Sequence, residues 1–563
     1  MKRFILTVAA LVFMGMACAQ SPAAKYVMYG GKIVQDIIKV RGPKDPMMIP
    51  PKVIPSGPPS ITPSPIIPTP LTDASITPNP IISTPLPDLA VPCIPGNRKG
   101  LVIPPHYKPS KDNANALASG LTPLFYHNQE FAAKLYYSGG DRDYALQVLT
   151  RFLSYVKIES QSTYVEDPDS FPMTEGQIRI ANYIHDELKT ICKGTKVEIK
   201  MSPDYYIYVK VPSNIKKKVP SVMFMAHMDV TPEANGEGIK PQVHYNYDGG
   251  DIVLGNGLVL SPDKPEGRHL KDLVGKTIIT SDGSTLLGAD CKTGCTILVS
   301  LIEQMVNDKK FKHGDVYFAF SQNEDIGKAA MRMDLSYFDR VPEILIDVDG
   351  DEYGTFSVAN FTAEGRSYLF KGNLAHPSNG KENGYADART AMAYFIGQLP
   401  PETHPSHSEG KQGYIHCSDI TQLDNRQDVR ITFRIRYFDK ADGERYAQYF
   451  EQALNNTRKA YPTVEVDLED VVLQYDNIAN SMHPKAVEMI EKAVAKTGIA
   501  MEPVEIRAGT TAAMMVAKGL PGGPCLYSAQ QNAHGVFEYC ALEEMIDLIG
   551  FTKCIVTEVS NLK

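Results

Sequence analysis

Short apolar segments alternate with helical patterns through the middle of this 563-residue chain, and this alternation restricts the fold more than any other feature. The strand-like segments read DYYIYVKV, SVMFMA, DVYFAF and EILIDV, and helical stretches such as residues 293–305 lie between them. Apolar strands separated by helices are typical of a mainly parallel sheet. We therefore predict an α/β domain built on a mixed sheet.

Two amphipathic helices open the folded part of the chain, which begins near Asp141. The first places Leu146, Leu149, Phe152 and Val156 on one face. The second follows the sequence TEGQ, whose threonine and glutamine are spaced as in a helix-capping box.

The pattern changes at about residue 360. The segments ANFTAEGRSYLFKGN and QDVRITFRIRYF alternate like half-exposed antiparallel strands, and two helical segments accompany them. We predict a smaller α+β domain at residues 359–475, inserted into a larger domain formed by residues 140–358 and 476–563.

The N-terminus has the pattern of a secretory signal peptide over residues 1–19. Two basic residues precede an apolar run at residues 4–16, and Ala-Cys-Ala follows. The run is well below the roughly 20 residues that a membrane-spanning helix needs. We expect cleavage before Gln20 and export to the periplasm or the cell exterior, and Cys18 leaves a lipid anchor open.

A proline-rich extension follows at residues 20–139. Residues 43–109 hold about half of the chain's 41 prolines, and SITPSPIIPTPLTDA is followed directly by its near-copy SITPNPIISTPLPDL. Because proline removes backbone donors and fixes φ, we predict an extended spacer. A linker with no specific function is the alternative.

The charge balance argues against nucleic acid as a partner. The formal net charge is −8, from 65 acidic and 57 basic residues that are interspersed along the chain. A nucleic-acid-binding protein normally presents a basic face.

Polar side chains gather in motifs that follow the apolar segments. Each motif alone has an ordinary explanation as a turn or a helix cap. In α/β sheets, however, the carboxyl ends of the strands form the ligand crevice, and histidine with carboxylate is zinc-type ligation. The motif residues are His227 and Asp229, Asp290, Glu324 and Asp325, Asp349, and His534 with Glu538.

A dozen motifs resemble the peptidase T family, the tripeptide aminopeptidases among the co-catalytic zinc peptidases. The resemblance runs from about residue 141 to the end and does not cover the extension. In chain order the motifs are RFLSYVKIESQS, TEGQ, HMDVTP, YDGGDIVLG, LLGADCKTG, NEDIGK, VDGDEYG, HPSNGK, SEGKQGYIH, RYFD, RAGTTAA and HGVFEY.

The resemblance implies two zinc ions per subunit, with cobalt or manganese as alternative metals. His227, Asp290 and Asp349 would hold one ion. Asp290 would bridge to a second ion held by Asp325 and His534. The inserted domain would serve as a lid or as a dimerisation domain.

The resemblance also implies roles for residues around the metals. Glu324 would be the general base, and Asp229 would hydrogen-bond to His227 and fix its ring. His376 would stabilise the oxyanion. Arg436 would bind a substrate carboxylate, with Arg507 as a second candidate for the same pocket.

Several positions depart from the family pattern. Asp325 stands for a glutamate, Cys291 for an aspartate, Asn323 for an acid, and Phe537 for a second histidine near the ligand. Thr511 stands for an aspartate, which bears on substrate selection more than on chemistry.

We therefore predict an exported zinc exopeptidase that removes the N-terminal residue of tripeptides or other short peptides. The alternatives are a dipeptidase, a carboxypeptidase or an N-acyl amino acid hydrolase. Thr511 and Asp387 favour these alternatives. A non-catalytic peptide-binding protein of the cell envelope is a further alternative. A homodimer through the inserted domain is also open.

Overall fold

The computed structural model describes residues 142–562, apart from residues 166, 168 and 424–426. The predicted signal peptide, the lipid-anchor position Cys18 and the proline-rich extension lie outside the described residues.

The described chain alternates helices and strands. The helices are α1 (Arg142–Val156), α2 (Glu175–Ile191), α3 (Ala289–Asn307), α4 (Ala388–Ile396), α5 (Lys440–Ala460), α6 (Lys485–Thr497), α7 (Thr511–Ala517) and α8 (Leu542–Asn561). The strands are β1 (Glu198–Met201), β2 (Ile207–Val211), β3 (Val222–His227), β4 (Gln242–His244), β5 (Ile252–Val253), β6 (Val259–Leu260), β7 (Ile278–Thr280), β8 (Val316–Ser321), β9 (Ile344–Gly350), β10 (Thr355–Asn360), β11 (Thr362–Lys371), β12 (Tyr414–Gln422), β13 (Val429–Tyr437), β14 (Glu465–Tyr475), β15 (Glu502–Ile506), β16 (Cys525–Tyr527), β17 (Gln530–Gln531) and β18 (Tyr539–Ala541). Among the described helices, none combines the length and the apolar character that crossing a membrane requires.

An eight-stranded mixed sheet forms the centre of the larger domain, in the order β1-β2-β8-β3-β9-β16-β10-β15. Strands β8, β3 and β9 run parallel at its middle, and every residue of β3 and β8 is buried. These three strands correspond to the apolar segments SVMFMA, DVYFAF and EILIDV of the sequence. The predicted α/β class with a mixed sheet is confirmed.

Alternate residues of the central strands face two different layers. Phe224 and Ile346 pack with α1, α2, α3, α6 and α8 in the main core. Met223 and Leu345 point to the opposite face and pack with α7. The capping box predicted at Thr174 is present and starts α2.

Helix α3 lies unusually close to the sheet at Gly294. A Cβ atom at this position would lie 2.2 Å from the Val348 carbonyl oxygen and 2.5 Å from the Cys291 sulfur. Only glycine therefore allows this approach, which places the first turn of α3 beside the carboxyl end of β9.

A second sheet forms the inserted part of the fold. Its order is β12-β13-β11-β14, and all neighbouring strands are antiparallel. Helices α4 and α5 cover one face, where Phe370, Phe395, Phe433 and Phe450 form a separate core. The α+β character predicted for this part of the chain matches these elements.

A small sheet of short strands, β17-β18-β7-β4, was not predicted. Its strands have only two or three residues, too few for a hydrophobic period. It nevertheless positions the site, because β7 leads into the loop before Asp290 and the β17–β18 turn carries His534.

Candidate active site

The carboxyl ends of the three central parallel strands bring the first site residues together. His227 is the last residue of β3 and lies opposite Ser321, the last residue of β8. Glu324 and Asp325 follow β8 directly, and Asp349 lies at the end of β9. This edge is the crevice that parallel strands form in α/β sheets.

All five predicted metal ligands meet at this edge, around Asp290. The His227 Nε2 atom lies 2.9 Å from Asp290 Oδ1 and 3.3 Å from Asp349 Oδ1. The His534 Nε2 atom lies 3.2 Å from Asp290 Oδ2 and 2.7 Å from Asp325 Oδ1. Asp290 thus directs one carboxylate oxygen to each histidine, as a ligand shared by two cations would.

The electrostatics of the cluster favour cations. Burial and the charge of Asp290 raise the pKa of the Asp325 carboxyl to about 8. Although burial opposes it, Asp290 and Asp325 raise the pKa of His534 to about 12. The buried oxygen Asp325 Oδ2 accepts no hydrogen bond. An unpaired buried carboxylate oxygen beside an imidazole nitrogen fits a divalent metal ion.

Glu324 stands next to this cluster with the properties of a proton carrier. Burial and the charge of Asp349 raise the pKa of its carboxyl well above the usual range. One of its carboxylate oxygens lies within 4.8 Å of ligand atoms of both His227 and Asp325. A carboxylate with a raised pKa beside a metal site is suited to general acid–base chemistry.

Asp229 does more than the sequence predicted. The Nδ1 atom of His227 is 3.1 Å from the carbonyl oxygen of Asp229 and 3.5 Å from its carboxylate. The same buried carboxylate accepts the backbone N–H groups of Glu324 (3.1 Å) and Asp325 (3.4 Å). Asp229 therefore also fixes the loop that carries the base and one ligand.

Glu538, the acidic residue of the HGVFEY motif, is a positioning residue. Its carboxylate accepts three backbone N–H groups, from Leu287 and Gly288 (both 2.7 Å) and from Asp290 (2.9 Å). It is buried, and burial raises its pKa to about 7 although these N–H groups act against the rise. Its partners lie about 250 residues away in the chain, so the motif that contains Glu538 does not predict this role.

Replacing Glu538 with alanine is expected to lower the free energy of unfolding by about 3 kcal/mol or more, because three buried N–H groups lose their acceptor. Urea unfolding of the full chain measures the effect. Glu543→Ala is the matched control, since Glu543 is also buried and accepts the backbone N–H group of Thr277, away from the metal ligands. Equal destabilisation by both variants would contradict the assigned role.

Two predicted site residues, His376 and Arg436, make their contacts away from the cluster. His376 is exposed, and its Nδ1 atom accepts the N–H of Ser378 in its own loop. The Arg436 guanidinium donates to Ile435 O at 3.0 Å and lies over the ring of Tyr475. The structure does not bring these two side chains to the metal ligands.

Arg507 connects the two sheets. Its guanidinium donates to Gly410 O at 2.5 Å and to Ser408 Oγ at 2.7 Å, and it lies over the ring of Phe361. Its contacts are therefore with the inserted domain.

Asn323, Asp387 and Cys291 each have a defined local conformation or contact. Asn323 has a φ of +59°, a left-handed conformation that asparagine adopts more readily than most residues. Asp387 caps α4 by accepting the N–H of Arg389. The Cys291 sulfur lies 2.9 Å from Val348 O, beside the first ligand group.

A cavity of about 400 Å³ opens beside the cluster. Asp290, Glu324, Asp349 and His534 line one end of it. The rest of the lining combines apolar residues, among them Val504 and Ile506, with polar ones, among them Asp351, Glu352 and Thr355. An amino-acid side chain fits in a space of this size and character.

Comparisons with known proteins agree with this architecture. Residues 283–558 match the model of peptidase family M20/M25/M40. A peptidase T from Halothermothrix orenii is 34% identical over 420 residues, which cover 72% of this chain and 97% of that protein.

Solved structures share the fold. The aminopeptidase PepT from Bacillus cereus superimposes with a TM-score of 0.55 at 19% identity, covering 74% of this chain and 98% of that one. An M20 dinuclear metal-binding peptidase from Bacillus subtilis gives a TM-score of 0.50 at 10% identity, with coverage of 75% and 99%.

The fold and the clustered histidines and carboxylates define a metallopeptidase of the M20 type. Within that class, the chain belongs to the peptidase T family. The resemblance seen in the sequence motifs is confirmed.

Proposed function

We propose that this protein is an exported, zinc-dependent aminopeptidase that releases the N-terminal residue of tripeptides and other short peptides. The observation that carries the proposal is the pair of ligand groups that share Asp290, with Glu324 beside them. Membership of the peptidase T family supports the substrate class.

The residues present suit two divalent cations. His227, Asp290 and Asp349 would hold one, and Asp290, Asp325 and His534 the other. Bound there, two cations would polarise the peptide carbonyl and acidify a water molecule. The dinuclear site named for the Bacillus subtilis M20 peptidase is consistent with this assignment.

Glu324 would move the proton during peptide hydrolysis. Its carboxylate takes a proton from the attacking water and passes it to the nitrogen of the leaving amine. Asp229 keeps Glu324 in place through the backbone N–H and keeps the ring of His227 oriented. The cavity beside the cluster would hold the side chain of the N-terminal residue.

Leu-Gly-Gly, offered beside its N-acetyl derivative to zinc-loaded protein, tests the proposal. We expect release of leucine from the free peptide and no cleavage of the acetylated one, measured by mass spectrometry. Preferential cleavage of the acetylated peptide would indicate an N-acyl amino acid hydrolase. Binding without turnover, with two metals bound per chain, would indicate a peptide-binding protein.

Export is the part of the proposal that rests on residues 1–19 alone. Their basic, apolar and small-residue segments follow in the order of a signal peptide. Fractionation of cells that express the full chain, with N-terminal sequencing of the product, tests it. Uncleaved protein in the cytoplasm would contradict it.

A further inference from the structure

The two histidines of the cluster are held in different ways. The side chains of His227 and Asp229 are 1% and 0% exposed, so packing restricts the His227 ring. The side chain of His534 is 36% exposed, and it lies on the turn between β17 and β18. Packing alone therefore does not fix the His534 ring.

A single carboxylate contacts the outer nitrogen of that ring. Glu233 Oε2 lies 3.2 Å from His534 Nδ1, while the Nε2 atom on the other side of the ring faces Asp325 and Asp290. Burial together with the charge of Glu233 raises the pKa of the nearby Tyr164 hydroxyl. Glu233 and His534 thus form a polar contact that ends at the second ligand group.

The backbone of His534 needs such support. Its φ is +67°, in the left-handed region that costs a non-glycine residue of order 1 kcal/mol or more. Asn532 in the same turn donates from Nδ2 to Phe537 O at 3.0 Å, which closes the turn and leaves the ring of His534 to its polar partners.

Glu233 is well placed to hold the ring of His534. It lies in the loop that follows β3, the strand that ends at His227. Gln161 donates from Nε2 to Thr231 O (2.8 Å) and to Ala234 O (2.5 Å), one on each side of Glu233. One anchored segment, HMDVTPE, therefore supplies a carboxylate to each of the two histidines.

We propose that Glu233 positions His534 and sets the occupancy of the Asp290–Asp325–His534 metal site. A hydrogen bond from Nδ1–H to Glu233 leaves the lone pair of Nε2 free for a cation and increases its basicity. Because Glu233 and His534 are half-exposed, water weakens this contact relative to the buried pair of His227 and Asp229. The cation at His534 is therefore the one that dissociates first. This inference rests on the proposed two-cation function.

Zinc titration of the metal-free full chain by calorimetry tests the proposal. Loss of an outer partner of a metal-bound histidine typically lowers affinity by roughly 10–100-fold. We expect Glu233→Ala to weaken the weaker of two binding steps by that factor and to leave the tighter step unchanged. Glu233→Gln, which keeps an acceptor without the charge, should give a smaller loss.

The matched control is Glu237→Ala, an exposed glutamate in the same loop, which should change neither step. A second readout is kinetic: excess zinc should restore the kcat of Glu233→Ala, with KM for peptide unchanged throughout. Two bound zinc ions with unaltered affinities in Glu233→Ala would overturn this inference alone. A wild-type chain that binds fewer than two zinc ions would overturn the proposed function with it.

Discussion

Glu324→Gln is expected to lower kcat for tripeptide hydrolysis by roughly 10²–10⁴-fold, the usual contribution of a positioned acid–base group. Glutamine keeps the size of the side chain but cannot take a proton from water at neutral pH. The backbone N–H of residue 324 would still donate to Asp229, so the loop should keep its position. The predicted loss therefore lies in the proton transfer.

The measurement compares kcat, KM and metal content for the wild type and the variant. We expect KM within a few-fold of wild type and an unchanged zinc content, because the predicted ligands are untouched. Glu444→Gln, on the exposed face of α5, is the control for a glutamate-to-glutamine change and should leave kcat unaltered. A kcat for Glu324→Gln close to that of wild type would assign the base to another residue.

The central sheet could be predicted from the sequence because its strands are long enough to form recognisable runs of apolar residues. The segments that became β3, β8 and β9 have six or seven residues and are buried on both faces, which gives continuous apolar runs. The strands β17, β18, β7 and β4 have two or three residues, and pairing across the chain holds them. No local signal of that length separates a strand from a loop.

The same distinction between local pattern and long-range contact applies to the residues of the site. Residues at strand ends, such as His227 and Asp349, could be proposed because strand position and residue type coincide. The roles of Glu538 and Glu233 arise from contacts across 248 and 301 residues of chain, so the local sequence around each residue does not predict its role. Their function as hydrogen-bond partners becomes visible only once the loops are packed together.

For Arg436 and Arg507 the situation is the opposite, because sequence motifs implied a role but not a position. The resemblance assigned Arg436 and Arg507 to substrate, and both guanidinium groups have partners within the protein in this structure. Arg507 spans from β15 to the loop at residues 408–412 of the inserted domain. Where such a group lies depends on the relative position of two domains, which no motif encodes.

Asp290→Asn is expected to lower the affinity for both zinc ions by roughly 100-fold or more, since the loss of even an outer partner of a ligand costs 10–100-fold. Asp290 Oδ1 faces His227 and Oδ2 faces His534. Asparagine replaces one of these oxygens with an NH₂ group, which repels a cation, and it removes the negative charge that both cations would share. His534→Ala, by contrast, removes a ligand from one group only.

Metal analysis after dialysis at equal free zinc separates the two variants. We expect less than one zinc ion per chain for Asp290→Asn and close to one for His534→Ala, against two for wild type. Because bound ligand stabilises the folded state by mass action, thermal unfolding should follow the same order. At free zinc of 100 times the dissociation constant, each ion contributes about 2.7 kcal/mol. One tightly held ion in Asp290→Asn would mean that the two cations do not share this carboxylate.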